Sequence, residues 1–276
     1  MDVVSDVMTG WVVTIPPSDS LLQARDLMAR SRVSQLAVVD HRKRPIGLIS
    51  KRDIARFLLE DSTTRPLQDI QVSEATSKSI PTISPDLPVF NAARMFDTEN
   101  LSYAVVSGEP PLPGIVTETD LCHYYARRWP GKFKVGELIS GDFIFAKSSY
   151  PVVHVAQAIV FRQPSVPVID EELVGILTLS DLLSIRERVP NARHGRLLGS
   201  KRENEVALIR TGELMTRNPV TTFNDSDLAQ SAQIVITKGF GSLPVVDNEN
   251  KVIGLLAKHD IVKALGRIGR NVEVES

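Results

Sequence analysis

The sequence has a single cysteine, few aromatic residues and no excess of charge of either sign. Cys122 alone excludes an internal disulfide and a cysteine-rich metal site, and it indicates a reducing compartment. The 32 basic and 33 acidic residues nearly cancel, so net charge gives no reason to expect nucleic acid or an acidic membrane surface. No apolar run is long enough to cross a membrane, and residues 1–6 do not resemble a signal peptide. We therefore expect a cytoplasmic protein without membrane contact.

Sequence motifs of catalysis are missing as well. The chain contains no nucleophile–base arrangement, no phosphate loop and no dinucleotide-binding fingerprint. Its histidines have no second metal ligand or carboxylate at a suitable spacing in the sequence. We predict that the protein is not an enzyme, binds no metal and requires no cofactor. Cys122, His123 and His154 are expected to be packed rather than functional.

One eight-residue block occurs four times and divides the chain into repeats. It reads GLISKRDI at 47–54, GIVTETDL at 114–121, GILTLSDL at 175–182 and GLLAKHDI at 254–261. Each block is a glycine, an apolar pair typical of a buried strand, a hydroxyl residue in three copies, and an Asp that opens a helix. Upstream of each block lie a short apolar strand and a helix that carries an alanine in register: Ala24, Ala92, Ala156 and Ala232.

The pattern predicts an α/β fold in which each repeat is a small three-stranded sheet with two helices. The repeats are assigned to residues 4–59, 72–128, 135–188 and 211–267. In the first repeat the second helix is expected over about 53–59. Such small sheets cannot close a core alone, so we expect pairing into two modules, residues 1–128 and 135–270.

The strand-to-helix turn of the block admits two interpretations. A Ser or Thr three residues before an Asp caps a helix in many folds, with a contribution of roughly 1 kcal/mol. The same turn also offers free backbone N–H groups and the positive end of the helix dipole to an anionic ligand. Four copies in register favour a repeated ligand-binding module, and capping and binding can coexist.

These motifs resemble the CBS domain, present four times and paired into so-called Bateman modules. The resemblance covers nearly the whole chain and extends to four-repeat members such as the gamma subunit of AMP-activated protein kinase and stand-alone archaeal proteins. It implies binding of AMP, ADP, ATP or S-adenosylmethionine in clefts between paired repeats. It also implies a regulatory, energy-sensing role, an effector protein that reads the signal, and a homodimer.

The resemblance also implies roles for particular residues. The ribose diol would be held by Asp53, Asp120, Asp181 and Asp260, because an ionised carboxylate accepts two hydroxyls at once. The hydroxyls of Ser50, Thr117 and Thr178 would contact ribose or phosphate. Ala257 breaks this pattern in the fourth repeat, so the pattern for a site is weakest there.

Further residues would surround adenine and phosphate. For the Asp120 cleft they are Thr9, Arg32, Val33 and Ser34; for Asp53, Ser77, Leu101 and Ser102; for Asp181, Thr216, Gly241 and Ser242; for Asp260, Pro164 and Ser165. The cations available to phosphate inside the blocks are Lys51, Arg52, Lys258 and His259.

Three other hypotheses remain open from the sequence. The first is a sensor of S-adenosylmethionine or another adenosyl ligand without phosphate recognition. The second is a nucleic-acid-binding regulator that uses the basic stretch 186–210, although few aromatic residues interleave it. The third is a structural scaffold whose clefts bind nothing.

Overall fold

The computed structural model describes residues 1–60, 65–77, 79–108, 114–139, 141–184 and 209–274. Within these ranges the helices are α1 (Val4–Val7), α2 (Leu21–Ser31), α3 (Lys51–Glu60), α4 (Val72–Ala75), α5 (Val89–Thr98), α6 (Glu118–Arg128), α7 (Val152–Phe161), α8 (Leu179–Leu183), α9 (Thr211–Leu214), α10 (Leu228–Lys238) and α11 (Lys258–Val274). The strands are β1 (Thr14–Ile15), β2 (Gln35–Val39), β3 (Pro45–Ser50), β4 (Thr82–Ile83), β5 (Tyr103–Val106), β6 (Gly114–Thr117), β7 (Ser165–Ile169), β8 (Leu173–Thr178), β9 (Thr216–Arg217), β10 (Thr222–Phe223), β11 (Ser242–Val246) and β12 (Val252–Ala257).

The strands form four small sheets, with the orders β1-β2-β3, β4-β5-β6, β7-β8-β9 and β10-β11-β12. Each repeat contributes an antiparallel pair whose second strand runs into the block. In three sheets the remaining strand is the first strand of the same repeat, and it pairs in parallel. In the third sheet the remaining strand is β9, from the start of the fourth repeat, and it pairs antiparallel with β8 at the other edge. The third repeat's own first segment is present as a parallel bridge between Ala146 and Val168. The four-repeat α/β fold is confirmed.

The helix after each block begins earlier than the sequence suggests. The first repeat's helix was expected to open at Asp53, whereas α3 begins at Lys51. In α6 the N-cap is Thr117 and Asp120 is the third helical residue. In the first three blocks the reason is that the hydroxyl residue, rather than the Asp, closes the first turn by accepting a backbone N–H. The fourth block lacks the hydroxyl, and α11 nevertheless begins at the equivalent residue, Lys258.

The described chain divides into two compact units, each of which combines two repeats. Unit 1 consists of Met1–Val12, Ser79–Gly141 and Thr221–Ser276, and unit 2 of Val13–Lys78 and Asp142–Val220. In unit 1, helices α5 and α6 of the second repeat pack against α10 and α11 of the fourth. In unit 2, α3 of the first repeat packs against α7 and α8 of the third. The two modules expected over 1–128 and 135–270 are a different division of the chain and stay a prediction.

The buried helix faces account for the alanines and the cysteine. The four in-register alanines are fully buried, and so is Cys122, as predicted. Burial also raises the pKa of the Cys122 thiol, which disfavours a reactive thiolate. His123 and His154 are exposed, contrary to expectation, because the buried stripes of α6 and α7 pass on the other side of each helix. Within the described ranges no helix is long and apolar enough to span a bilayer.

Candidate ligand-binding site

Each block places its Asp at the start of a helix, with one carboxylate oxygen turned back onto the cap. Asp120 Oδ2 accepts from the backbone N–H of Thr117 at 2.8 Å and from its hydroxyl at 2.6 Å. Asp181 with Thr178, and Asp53 with Ser50, repeat both bonds at 2.6–2.9 Å. The capping interpretation is therefore correct for one oxygen of each of these carboxylates. The second oxygen of each carboxylate takes no part in the cap.

The segments that lead into the repeats supply that partner. We call residues 8–12, 76–77 and 215–218 the leading segments. Thr9 exchanges backbone hydrogen bonds with Ile115 at 2.9 and 3.0 Å, and Ser77 exchanges them with Leu48 at 3.0 and 3.3 Å. In the third sheet, Thr216 pairs with Ile176. Thus the first repeat's leading segment lies on the second repeat, the second's lies on the first, and the fourth's lies on the third.

The glycine that opens the block permits this close approach. A Cβ atom at Gly114 would lie 3.0 Å from the carbonyl oxygen of Thr9, and one at Gly175 would lie 3.1 Å from that of Thr216. Both separations are shorter than ordinary van der Waals contact, so any side chain would push the leading segment away. The glycine is thus explained by the neighbouring backbone rather than by its own conformation.

The second carboxylate oxygen faces the leading segment in two of the four blocks. Thr9 Oγ1 donates to Asp120 Oδ1 at 2.9 Å, and Thr216 Oγ1 donates to Asp181 Oδ1 at 3.1 Å. Asp181 is only 2 % exposed, whereas Asp120 is half-buried. Two of the predicted residue pairs are therefore brought together, and the Asp120 pair is the more accessible to a ligand.

The fourth block lacks the hydroxyl and differs electrostatically. Asp260 Oδ2 accepts the backbone N–H of Ala257 at 2.8 Å. It receives no second bond from the cap residue, because alanine has no side-chain hydroxyl. Burial raises the pKa of Asp260, and the bond from Ala257 opposes this only in part. A carboxylate that resists ionisation is a weaker acceptor for a ribose diol. The sequence pattern marked this block as the weakest site, and the geometry gives a physical reason.

The residues just before each inner strand are held by their own repeat. The first residues of α3, α6 and α11 donate backbone N–H groups to the carbonyls of Ser34, Ser102 and Gly241 at 3.0–3.2 Å. Arg32, one of the predicted phosphate ligands, ends α2 in a left-handed conformation with φ 55° and is exposed. The residues before the inner strands that were predicted to face Asp53, Asp120, Asp181 and Asp260 belong to the other compact unit, whereas the predicted leading-segment residues belong to the same unit as their Asp. The roles of Val33, Leu101, Ser242, Pro164 and Ser165 stay predictions.

The cations of the blocks lie at contacts between repeats. Lys51 Nζ donates to Ser180 Oγ at 3.2 Å in unit 2, and Lys258 Nζ donates to Thr119 Oγ1 at 2.8 Å in unit 1. His259 lies between two carboxylates, with Nε2 3.2 Å from Asp97 Oδ1 and Nδ1 3.3 Å from Glu118 Oε1. A phosphate role for His259 would require these contacts to open. Arg52 occupies the equivalent position in the first block and is half-buried.

Sequence reasoning missed the two carboxylates around His259. Asp97 closes the helix before the second block and Glu118 lies within the block, so neither is near His259 in the sequence. Hydrogen bonding from Glu118 is the largest cause of a raised pKa of His259, and the charges of Glu118 and Asp97 add to it. The only sequence signal was the pairing of equivalent blocks, since a cation in one block meets acids in another. In the described ranges no group of acids, histidines or cysteines could hold a metal.

A polar cavity of about 320 Å³ adjoins Asp120 in unit 1. It is lined by Asp2, Asp6, Val7, Asp120, His123, Tyr124, Arg127 and Arg128. Arg128 forms an ion pair with Asp2 at 2.8 Å. Burial and a hydrogen bond with Asp2 raise the pKa of Tyr124 to about 12. The lining of this cavity was not predicted from the sequence, although His123 and Arg127 share the helical face of Asp120 at i+3 and i+7.

Fold and site together define a class of protein built from small α/β repeats. In each repeat the strand-to-helix turn carries an Asp that is hydrogen-bonded to the cap residue, and in two repeats the leading segment of a neighbouring repeat donates to the same Asp. The CBS domain model matches residues 4–60, 72–127, 135–188 and 212–267. The chain therefore belongs to the CBS-domain family. Proteins of this family are generally regulatory and non-catalytic.

Two archaeal proteins are similar over nearly the whole chain. Protein MJ1225 of Methanocaldococcus jannaschii is 24% identical over 269 residues, which cover 91% of this chain and 94% of that protein. Its crystal structure, described as that of a candidate archaeal homologue of the AMP-activated kinase gamma subunit, covers 95% of this chain and 99% of its own at 23% identity and TM-score 0.83. An uncharacterised Pyrococcus horikoshii protein covers 96% and 100% at 19% identity and TM-score 0.64. These structures show the fold.

Proposed function

We propose that this protein is a non-catalytic regulator that binds AMP, ADP or ATP and reports cytoplasmic energy state to an effector protein. The single observation that carries the proposal is the carboxylate of Asp120. One of its oxygens is fixed by the cap residue Thr117, and the other faces the hydroxyl of Thr9. The same carboxylate forms part of the wall of a cavity. The carboxylate is thus a hydrogen-bond acceptor that borders open space, and binding of a sugar diol requires such a group.

Ribose recognition follows from the hydrogen-bonding capacity of the site. A ribose diol can donate two hydrogen bonds to the Asp120 carboxylate, with the Thr9 hydroxyl turning to accept or donate a third. Bonds to an ionised group contribute about 1.5–3 kcal/mol each. Asp181 and Thr216 repeat the arrangement in a closed form, so a ligand there would have to move Thr216 first.

Reporting would then operate by thermodynamic linkage. A nucleotide can shift an arrangement of repeats only by its difference in affinity for the two states. The leading segments give this coupling a route, because Thr9 belongs to the first repeat and Asp120 to the second. A homodimer and the effector stay predictions.

Isothermal titration with AMP, ADP and ATP tests the proposal. Asp120→Ala is expected to remove one binding event or weaken it at least about tenfold, because two charge-assisted bonds are lost. Asp86→Ala is the matched control, since Asp86 is an exposed acid of the same unit outside the site. Unchanged titrations of the Asp120→Ala variant, or no thermal shift of the natural chain with any nucleotide, would reject the proposal.

A second candidate, a sensor of S-adenosylmethionine, is favoured by the charges of the cavity. Arg128 and Asp2 neutralise each other, and Asp120 is assigned to ribose. The cavity is also lined by Asp6 and Arg127, one carboxylate and one guanidinium, and Oδ2 of Asp6 accepts the backbone N–H of Val3 at 2.9 Å. This combination suits an ammonium and a carboxylate, the two end groups of the methionyl moiety. Competition of AMP against S-adenosylmethionine distinguishes the candidates, and Arg127→Met should weaken whichever ligand uses the cavity.

The nucleic-acid hypothesis rests on the stretch 186–210, of which residues 186–208 lie outside the described residues. At the described end of this stretch, the guanidinium of Arg210 donates to the carbonyl of Ser149 at 3.1 Å. Arg210 is also the N-cap residue of α9. No described contact favours nucleic acid, so the hypothesis stays a prediction. Binding to a nonspecific duplex that weakens steeply with salt would support it.

A further inference from the structure

The start of α11 in the fourth repeat is joined to the start of α6 in the second. We call Asp97, Glu118, Thr119, Lys258 and His259 the repeat 2–4 contact. Lys258 Nζ donates to Thr119 Oγ1 at 2.8 Å, and His259 lies 3.2 Å from Asp97 and 3.3 Å from Glu118. Glu118 and Thr119 are the two residues that directly precede Asp120. The contact therefore holds the turn on which the proposed ribose ligand stands.

The repeat 2–4 contact is partly shielded from water. The side chains of His259, Asp97 and Glu118 are 31%, 27% and 17% exposed. Beneath them, Leu121 and Cys122 of α6 pack with Ile261, Val262 and Leu265 of α11 in one buried cluster. Partial burial strengthens hydrogen bonds and ion pairs relative to exposed ones. The polar groups thus rest on a rigid base, and a change in them is transmitted to the helix start.

Unit 2 contains the same contact without its ionisable histidine. Lys51 donates to Ser180 at 3.2 Å, and these residues occupy the positions of Lys258 and Thr119. Leu179 stands in the position of Glu118, and Arg52 in that of His259. The lysine-to-hydroxyl bond is common to both units, whereas a histidine between two acids is particular to the unit that contains Asp120.

We propose that the fourth repeat, whose own block lacks the hydroxyl, positions the Asp120 site through Lys258 and His259 and makes ligand affinity there depend on pH. The proposal rests on the proposed function. Protonated His259 can donate to Asp97 and Glu118 together, whereas neutral His259 has one N–H and can donate to only one of them. Loss of the proton therefore loosens the start of α6, and affinity at Asp120 decreases as pH rises.

The direction of this effect follows from all the charged groups that act on His259. Glu118 on α6 and Asp97 on α5 favour the proton, and so does Asp260 in the same helix turn. Burial opposes them, and Lys258 and Lys263 lie on the same helix. The acids prevail and the pKa of His259 is raised, so the charged form persists to a higher pH than that of an ordinary histidine. The hydrogen bond from Lys258 to Thr119 does not involve the His259 proton.

Adenosine titrations at about pH 6 and pH 9 test the proposal, because adenosine has no phosphate that titrates in this range. The experiment uses the full chain with Asp53→Ala and Asp181→Ala, so that binding at Asp120 is observed without those two sites. Adding Asp120→Ala to this variant identifies the part of the signal that comes from the Asp120 site. Affinity should fall about three- to tenfold between the two pH values. His259→Gln should remove most of this slope, and Lys258→Met should weaken binding equally at both. His154→Gln and Lys238→Met, at exposed positions, are the controls and should change neither the affinity for adenosine nor its pH dependence.

A ligand-free measurement separates this inference from the proposed function. Amide hydrogen exchange at Glu118, Thr119 and Asp120 should quicken, beyond its intrinsic pH dependence, as pH rises through the His259 pKa, and His259→Gln should abolish that change. If adenosine does not bind but amide exchange at the start of α6 still changes with protonation of His259, the proposed function is wrong. The repeat 2–4 contact would then still stabilise this helix start in a pH-dependent way. Equal pH slopes of affinity and exchange in the natural chain and His259→Gln would overturn the inference.

Discussion

The second and fourth blocks belong to the same compact unit and share one design, yet they treat their Asp differently. Both begin with a glycine and two apolar strand residues, and both direct Oδ2 of the Asp onto the backbone N–H of the cap position at 2.8 Å. Only the second has a hydroxyl at that position, Thr117. Only the second is shown with a leading-segment hydroxyl on the other oxygen, that of Thr9.

This difference separates what capping needs from what binding needs. A backbone N–H suffices to orient an Asp at a helix start. Asp260 therefore has the same position in its helix as Asp120, although Ala257 stands where the second block has Thr117. Hydrogen bonds to the charged form are what keep a half-buried carboxylate ionised. Asp260 has fewer, and burial raises its pKa. The pattern shared by the blocks thus places the Asp at the start of the helix. The hydroxyls of Thr117 and Thr9 then distinguish Asp120 as the better hydrogen-bond acceptor for a ligand.

Breaking the leading segment's approach should have the largest effect on this comparison. Gly114→Val would place Cβ 3.0 Å from the carbonyl of Thr9 and still closer to the Met8 side chain. Overpacking of this kind costs about 1–3 kcal/mol of unfolding free energy, and it should separate Thr9 from Asp120. We expect nucleotide affinity at the Asp120 site to fall with it, as measured by urea unfolding and by titration.

A second glycine of the same unit provides the control for Gly114→Val. A Cβ atom at Gly141 would meet nothing within 4 Å, so Gly141→Val should leave both quantities nearly unchanged. Equal losses in the two variants would show that the effect of Gly114→Val is not caused by the leading segment, and the explanation of the block's glycine would then be wrong.

The sequence was sufficient for the fold because the block repeats four times in the same context. Short apolar strands and helices with an in-register alanine could be assigned locally, and the four alanines are indeed buried. The pairing of Thr216 with Ile176 depends on chain path rather than on local pattern, so only the family resemblance, which places Thr216 at the Asp181 cleft, indicated it.

The candidate site was predictable only in part, for the same reason. Asp120 and Thr117 lie three residues apart and could be identified from spacing, and Thr9 from the family resemblance. Asp97 and Glu118 could not be matched with His259, because helix α11 meets α5 and α6 through tertiary contacts that separate these residues by 162 and 141 positions in the chain. Exposure of His123 was likewise decided by which face of α6 is buried.

Removing the hydroxyl of the second block should have an intermediate effect. Thr117→Ala gives the second block the cap of the fourth, and the loss of an N-cap hydroxyl costs about 1 kcal/mol. The carboxylate of Asp120 also loses its 2.6 Å bond, so nucleotide affinity at the Asp120 site should fall. Chemical denaturation measures the first effect, and isothermal titration measures the second. A variant with the stability and the affinity of the natural chain would contradict the comparison; Thr119→Ser, which keeps a hydroxyl at a neighbouring position, serves as control.

The converse change, Ala257→Thr, should have the smallest effect, and its pH dependence should identify its cause. Because the folded pKa of Asp260 is raised above the ordinary 3.8, its contribution to stability is fully present below that pH and is lost as pH rises through the raised pKa. A new hydroxyl bond to the charged carboxylate would lower that pKa and recover part of the loss. We expect a gain of about 0.5 kcal/mol at pH 7 and a smaller gain near pH 3.5, where the new hydroxyl still caps the helix but Asp260 is largely protonated. Ala257→Val adds similar bulk without the hydroxyl, so equal gains for Val and Thr would mean that strand packing separates the two blocks. A gain for Thr that is equal at both pH values would mean that capping alone, rather than ionisation of Asp260, separates them.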